Sequence, residues 1–229
     1  MIFCRKKSRD PGQARREKTR LKLIEAATLV LSERDPEDTL IDHVIRRAGV
    51  SRGTFYNYFR SVEELMQACK EELARELVAL ILEAQIEESD PARKLILGLK
   101  QALELTRRCP RLTEFSARLG FRAVGPGSFV HEIGGTVISE GMSNGVFRPM
   151  PAELAVDMIE ASMIAAARRT AAGEPVEPEV LVAAVGRMLG VPAELADRIA
   201  ALPVPAIDIP PDSLLARSNR ELSGRQVTS

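Results

Sequence analysis

Residues 39–62 read TLIDHVIRRAGVSRGTFYNYFRSV, and the order of residue types in this stretch decides the fold. Ile41, Val44, Ile45 and Ala48 recur at helical spacing behind Thr39, whose hydroxyl is placed to cap the first turn. Gly49 suits a left-handed helix end, and Val50 supplies an apolar side chain for the corner that follows. Ser51 is a second N-cap candidate, and the helix it opens carries Phe55 and Phe59 four residues apart, a spacing that predicts both in a core. Arg52, Gly53, Thr54, Tyr56, Asn57 and Tyr58 are then left mostly on the other side. A helix that enters a major groove by its N-terminal end needs a cation for guanine edges, a small residue for close approach and hydroxyls for phosphates. Arg52, Gly53, Thr54 and Tyr56 make up that set, so the segment predicts a helix-turn-helix.

From about Arg16 to Glu72 the chain resembles the DNA-binding domain of the TetR family of bacterial transcriptional regulators. The likeness is carried by GVSRGTFYNYFRSVEEL, residues 49–65, with a basic leader and an amphipathic helix before it and a long fourth helix opening at Val62. The resemblance implies that Arg52 and Gly53 meet bases, that Thr54, Tyr56 and Tyr58 mostly hold phosphates, and that Asn57 does either. It also implies backbone contacts from Arg16, Arg20, Thr39 and Arg60. Two positions depart from the family pattern. Leu40 stands where the family commonly has a threonine that touches phosphate, and Val62 where it usually has a lysine, with Arg60 the nearest replacement cation. Both changes bear on affinity, because phosphate contacts position a protein while base contacts specify the sequence.

The net charge of zero conceals an asymmetry: residues 1–60 hold 14 basic and 8 acidic side chains, and residues 61–229 hold 18 and 24. Within the first 22 residues the count is 9 against 2, from Arg5, Lys6, Lys7, Arg9, Arg15, Arg16, Lys18, Arg20 and Lys22 against Asp10 and Glu17. Two readings are open for this leader: an arm that tracks phosphates or enters a minor groove, with salt-sensitive binding, or a solvated terminus with no partner.

Beyond the leader the periodicity predicts an all-α chain. A flexible arm over 1–15 precedes a three-helix DNA-binding domain over 16–62, whose first helix, Arg16 to Ser32, has Leu21, Ile24, Thr28 and Leu31 on one face. A helical regulatory and dimerisation domain follows over 63–202. The long helix from Val62 to about Glu88 joins the two, and Pro91, after the capping Asp90, opens the next. Further helices are expected near 112–122, 130–143, 153–172, 177–189 and 193–202. Pro203, Pro205, Pro210 and Pro211 introduce an end without periodicity, and 203–229 is expected to lack a fixed fold. The small and apolar face of the 153–172 helix has two readings, an intramolecular core or a subunit contact. The resemblance implies the second, a homodimer through 153–172 and 177–189 on near-palindromic double-stranded DNA, since one short recognition helix reads few base pairs.

The same resemblance implies repression relieved by a small, apolar effector held among helices from about 91 to 172. Candidate contacts are Leu99, Leu103, Cys109, Phe115, Leu119, Phe121, Phe129, Met142, Met158 and Met163, all equally suited to an ordinary core. A regulator without a physiological effector and a nonspecific DNA-binding protein are the other readings. Catalysis has no support: His43 and His131 are the only histidines, they fall in different expected domains, and no metal, phosphate-loop or nucleophile pattern surrounds them. His43 reads as an exposed residue or a phosphate contact, and His131 as a pocket or a loop-edge residue. Three widely spaced cysteines, Cys4, Cys69 and Cys109, argue against a disulfide framework or a metal site. Cys69 and Cys109 read as small buried hydrophobes, with redox sensing as the alternative. Neither cofactor nor metal is expected. No apolar run approaches the roughly 20 residues that span a bilayer, and no signal-peptide core follows the basic start, which predicts a cytoplasmic protein.

Overall fold

The structure, a computed structural model, describes residues 11–34, 41–85, 87–120 and 129–225, and among these the chain forms eleven helices and no strand. Four helices build the N-terminal unit. α1 (Pro11–Glu33) packs against α2 (Ile41–Ala48) and α4 (Val62–Ala84), and the short α3 (Arg52–Tyr56) lies beside α2. Leu23, Ile24, Ala27, Val44, Phe55, Phe59, Leu65, Cys69 and Leu73 fill the space between them. Seven further helices follow: α5 (Pro91–Arg108), α6 (Pro110–Leu119), α7 (Phe129–Ser143), α8 (Ala152–Ala171), α9 (Pro178–Met188), α10 (Ala193–Ala200) and α11 (Leu214–Arg225). Ile96, Ile138, Val156, Val182, Leu189 and Ile199 centre a second core among α5, α7, α8, α9 and α10.

Punctuation explains where the elements begin. Ser61 caps α4 through a hydrogen bond from the Glu64 amide (3.2 Å), and Asp90 caps α5 through the Arg93 amide (2.9 Å), with Pro91 in the first turn. Proline is tolerated there because that N–H has no helical partner to lose. At 23 residues α4 is about 35 Å long, enough to run from the N-terminal core to α5 and α7.

Two expectations about the ends of the chain are overturned. α1 begins at Pro11, not near Arg16, so residues 11–15 belong to a helix and only 1–10 of the expected arm lie outside the described residues. The end beyond Pro203, expected to lack a fold, contains α11. Leu214 and Leu215 are each 1 % exposed within the N-terminal core. The Glu76 carboxylate of α4 accepts their amides at 2.7 and 3.0 Å, satisfying first-turn donors and placing negative charge at the helix N-terminus. Arg217 then pairs with Glu25 of α1 at 3.1 Å. Two adjacent leucines carry this docking, too short a signal to stand out as periodicity in a polar tail.

α6 is the other outside member of the N-terminal core, to which it contributes Leu112, Phe115 and Leu119, with Cys109 just before it. Arg111, 6 % exposed, reaches from α6 to Ser32 Oγ (3.2 Å) and the Glu33 carboxylate (3.1 Å) at the end of α1. The two domains are therefore joined by shared packing as well as by α4.

Leu214→Ala and Leu215→Ala are each expected to lower the unfolding free energy by about 2–5 kcal/mol, the cost of emptying a buried leucine site. Urea denaturation followed by circular dichroism measures it, and changes below about 0.5 kcal/mol, typical of exposed sites, would mean that the tail does not dock.

Candidate DNA interface and the cavity behind it

Between α2 and α3 the chain turns at Gly49, whose φ of +60° is a conformation that side-chain-bearing residues rarely adopt. The Val50 amide closes the turn onto Ile45 O at 3.1 Å. Ser51 caps α3 by accepting the Thr54 amide at 3.0 Å, and its hydroxyl lies 2.8 Å from that of Thr54. Phe55 and Phe59 are buried with ring centroids 6.1 Å apart, which anchors one side of the element.

Arg52, Gly53, Tyr56, Asn57 and Arg60 are exposed on the opposite side, with Thr54 and Tyr58 half-buried beside them. Tyr56 is 51 % exposed, far more than a tyrosine held for packing. The Arg52 guanidinium lies 3.0 Å from Asp42 of α2; both are exposed, and such a pair is worth under about 1 kcal/mol and exchanges readily. A Cβ built on Gly53 would meet only Ser51 Oγ, at 3.8 Å, so nothing inside the protein requires glycine there. Arg16 sits 5.9 Å over the Tyr58 ring, at the edge of the same surface. Arg20 turns elsewhere, toward Glu17 (3.4 Å) and Glu72 of α4 (3.7 Å). Thr39 and Leu40 lie outside the described residues, and Val62 forms the first turn of α4.

A cavity of ≈ 290 Å³ lies where α4, α5, α6, α7 and α8 converge. Its walls are mostly aliphatic. Leu99, Leu103, Phe115, Leu119 and Met163, all singled out from sequence, line it. Four others do not. Cys109 points into the N-terminal core at the α5–α6 junction. Phe129 packs its ring under Arg75 (4.6 Å) while its amide donates to Glu71 (3.2 Å). Met142 supports the second core, where its sulfur accepts the Met150 amide at 3.4 Å. Met158 faces outward on α8 and is 38 % exposed. Phe121 lies outside the described residues.

Sequence reasoning missed the α4 wall. Leu73, Leu77, Val78 and Ile81 line the cavity, although the recurrence of Leu73, Leu77 and Leu80 was legible as an apolar stripe. It also missed Glu160, the one acidic residue among the described lining. His131 is neither on a loop nor exposed: it lies in α7, 9 % exposed, with Nε2 3.4 Å from Glu160 Oε2.

Residues 23–69 match the family model of bacterial regulatory proteins, tetR family, a span running from the middle of α1 through α3 into the first turns of α4. Those residues belong to the TetR family of bacterial regulatory proteins. An uncharacterized HTH-type transcriptional regulator of Mycobacterium tuberculosis is 30 % identical over 91 residues, 40 % of this chain and 45 % of that protein, so the match spans under half of the relative. The TetR-family likeness extends further among solved structures. RolR without ligand superposes with a TM-score of 0.68 at 25 % identity, covering 82 % of this chain and 100 % of RolR. RolR in complex with resorcinol gives 0.60 at 25 %, covering 86 % and 100 %. FadR from Bacillus subtilis in complex with stearoyl-CoA gives 0.56 at 18 %, covering 74 % and 96 %, a likeness of fold.

The two described cysteines are buried, and burial pushes the Cys69 thiol up to about 12 and raises Cys109 as well. Thiolate is the reactive species, so neither should react with a thiol-specific disulfide reagent at pH 8 until the protein unfolds. Mass mapping of labelled peptides before and after denaturation checks this, and native labelling at Cys69 would refute the burial.

Proposed function

We propose that this protein is a homodimeric repressor that reads a near-palindromic operator in double-stranded DNA and leaves it when a compact, apolar molecule fills the cavity. The observation that carries this reading is the dual use of α4. Its first turns, through Leu65, Cys69 and Leu73, help form the core that seats α2 and α3, and from Leu73 to Leu82 it walls the cavity. A ligand that favours one position of α4 over another therefore changes where the recognition surface sits, and only that difference in affinity can shift the equilibrium. The aliphatic lining favours an apolar effector, and ≈ 290 Å³, at the small end for ligand sites, favours a compact one. RolR, which shares the fold, holds resorcinol, itself a small aromatic molecule.

On the DNA side, Arg52 and Gly53 lead into the groove, Thr54, Tyr56 and Tyr58 hold phosphates, Asn57 does either, and Arg16 and Arg60 flank them. Arg52 exchanges its exposed contact with Asp42 for a base. Arg20, turned toward Glu72, acts through the α1–α4 contact. Dimerisation is supported by apolar side chains left outside: Leu154 and Met158 on α8 are 50 and 38 % exposed, and Val180 on α9 is 63 % exposed. No helix among the described residues is long and apolar enough to cross a membrane, and a cytoplasmic setting is part of this proposal.

Selection of bound sites from random duplex DNA tests the reading, with the oligomeric state followed by light scattering. A two-fold symmetric motif bound by a dimer is expected. Salt-sensitive binding without an enriched motif would instead mark a nonspecific DNA-binding protein. Arg52→Ala should cost about 1–3 kcal/mol of operator affinity and relax preference at one base position. Gly53→Ala should separate fold from function: alanine gains up to about 1 kcal/mol of helical stability while its methyl group obstructs the DNA. A raised melting temperature with unchanged operator affinity would remove Gly53 from the interface.

A further inference from the structure

His131, Asp157 and Glu160 bring three metal-ligating atoms together from two packed helices, α7 and α8. Asp157 and Glu160 are three residues apart and so share a face of α8, and that face meets the third residue of α7. His131 Nε2 is 3.1 Å from Asp157 Oδ1 and 3.4 Å from Glu160 Oε2. All three atoms are shielded from solvent, and the side chains of His131 and Glu160 are 7 and 11 % exposed. With metal–ligand bonds of about 2.0–2.2 Å, neighbouring ligands in tetrahedral or octahedral geometry stand about 3–3.5 Å apart. Both imidazole–carboxylate distances meet that spacing. The remaining edge, between two like-charged carboxylates, is within 4.8 Å and shortens when a cation lies between them.

We propose that His131 Nε2, Asp157 and Glu160 bind a divalent first-row transition metal ion in the wall of the cavity. An imidazole nitrogen with two carboxylate oxygens suits zinc and its neighbours better than calcium, which takes 6–8 oxygens, or magnesium, which prefers carboxylate and water. Three protein ligands leave the ion a position for water or another donor, as in open zinc sites. Glu160 belongs to both cluster and cavity, so the ion lies within reach of what the cavity holds. The sequence reading expected no metal because these ligands follow no short spacing motif: they meet only once α7 and α8 pack.

The test uses the full chain, freed of metal by chelation and titrated without DNA, so its outcome is independent of the regulatory reading. Zn²⁺ followed by calorimetry is expected to bind at one equivalent per chain. Co²⁺ should give weak visible bands without the charge-transfer absorption that ligation by Cys4, Cys69 or Cys109 would produce. His131→Gln and Glu160→Gln are each expected to weaken Zn²⁺ binding at least about 10–100-fold, the loss that even outer-shell changes cause. Asp157→Asn, at a side chain 40 % exposed, should do the same and decides the matter if a buried substitution prevents folding. Absence of stoichiometric binding, a thiolate spectrum, or full affinity in the folded variants would overturn the proposal.

Discussion

Everything in this molecule depends on how α1 is covered. Its residues from Leu23 to Ser32 are buried almost all round, with Glu25 alone half-exposed, a pattern that two neighbours on one side cannot produce. Four helices, α2, α4, α6 and α11, pack against it. A unit of about seventy residues buries only a modest share of its surface by itself, and here it borrows leucines and a phenylalanine from α6 and α11. The helix-turn-helix is thus the exposed corner of a larger core.

This sharing makes the position of α2 and α3 sensitive to α6. Glu33, at the end of α1, meets Arg47 of α2 at 3.2 Å and Arg111 of α6 at 3.1 Å, so one carboxylate ties together elements from both domains. Arg111 is nearly buried, and losing either partner would leave charge in a place where water cannot compensate for it. Phe115 and Leu119, on the same helix, belong to that core and to the cavity wall at once. Small displacements at the cavity therefore have packed, incompressible material through which to act.

Much of the layout was legible from local chemistry. The capping roles of Ser51 and Asp90, the turn at Gly49 and the burial of Phe55, Phe59 and Cys69 each follow from one residue and its near neighbours, although α3 ends at Tyr56 and Phe59, expected on that helix, is buried just beyond it. What escaped the sequence was set by elements distant along the chain. Cys109, Phe129, Met142 and Met158 had the apolar character of cavity residues, but which way each faces depends on helices that a one-dimensional pattern does not place. The same holds for His131, whose partners lie on another helix. α11 escaped for a different reason: its docking rests on Leu214, Leu215 and the distant carboxylate of Glu76, with no stripe of its own.

The docking of α11 also orders events in time. During synthesis α1 to α4 leave the ribosome long before Leu214 and Leu215 exist, and until then one side of the N-terminal core stays open to water. The core behind the helix-turn-helix is completed only by a segment translated about 150 residues after it. Nascent chains thus carry the helix-turn-helix for some time without the finished core that supports it.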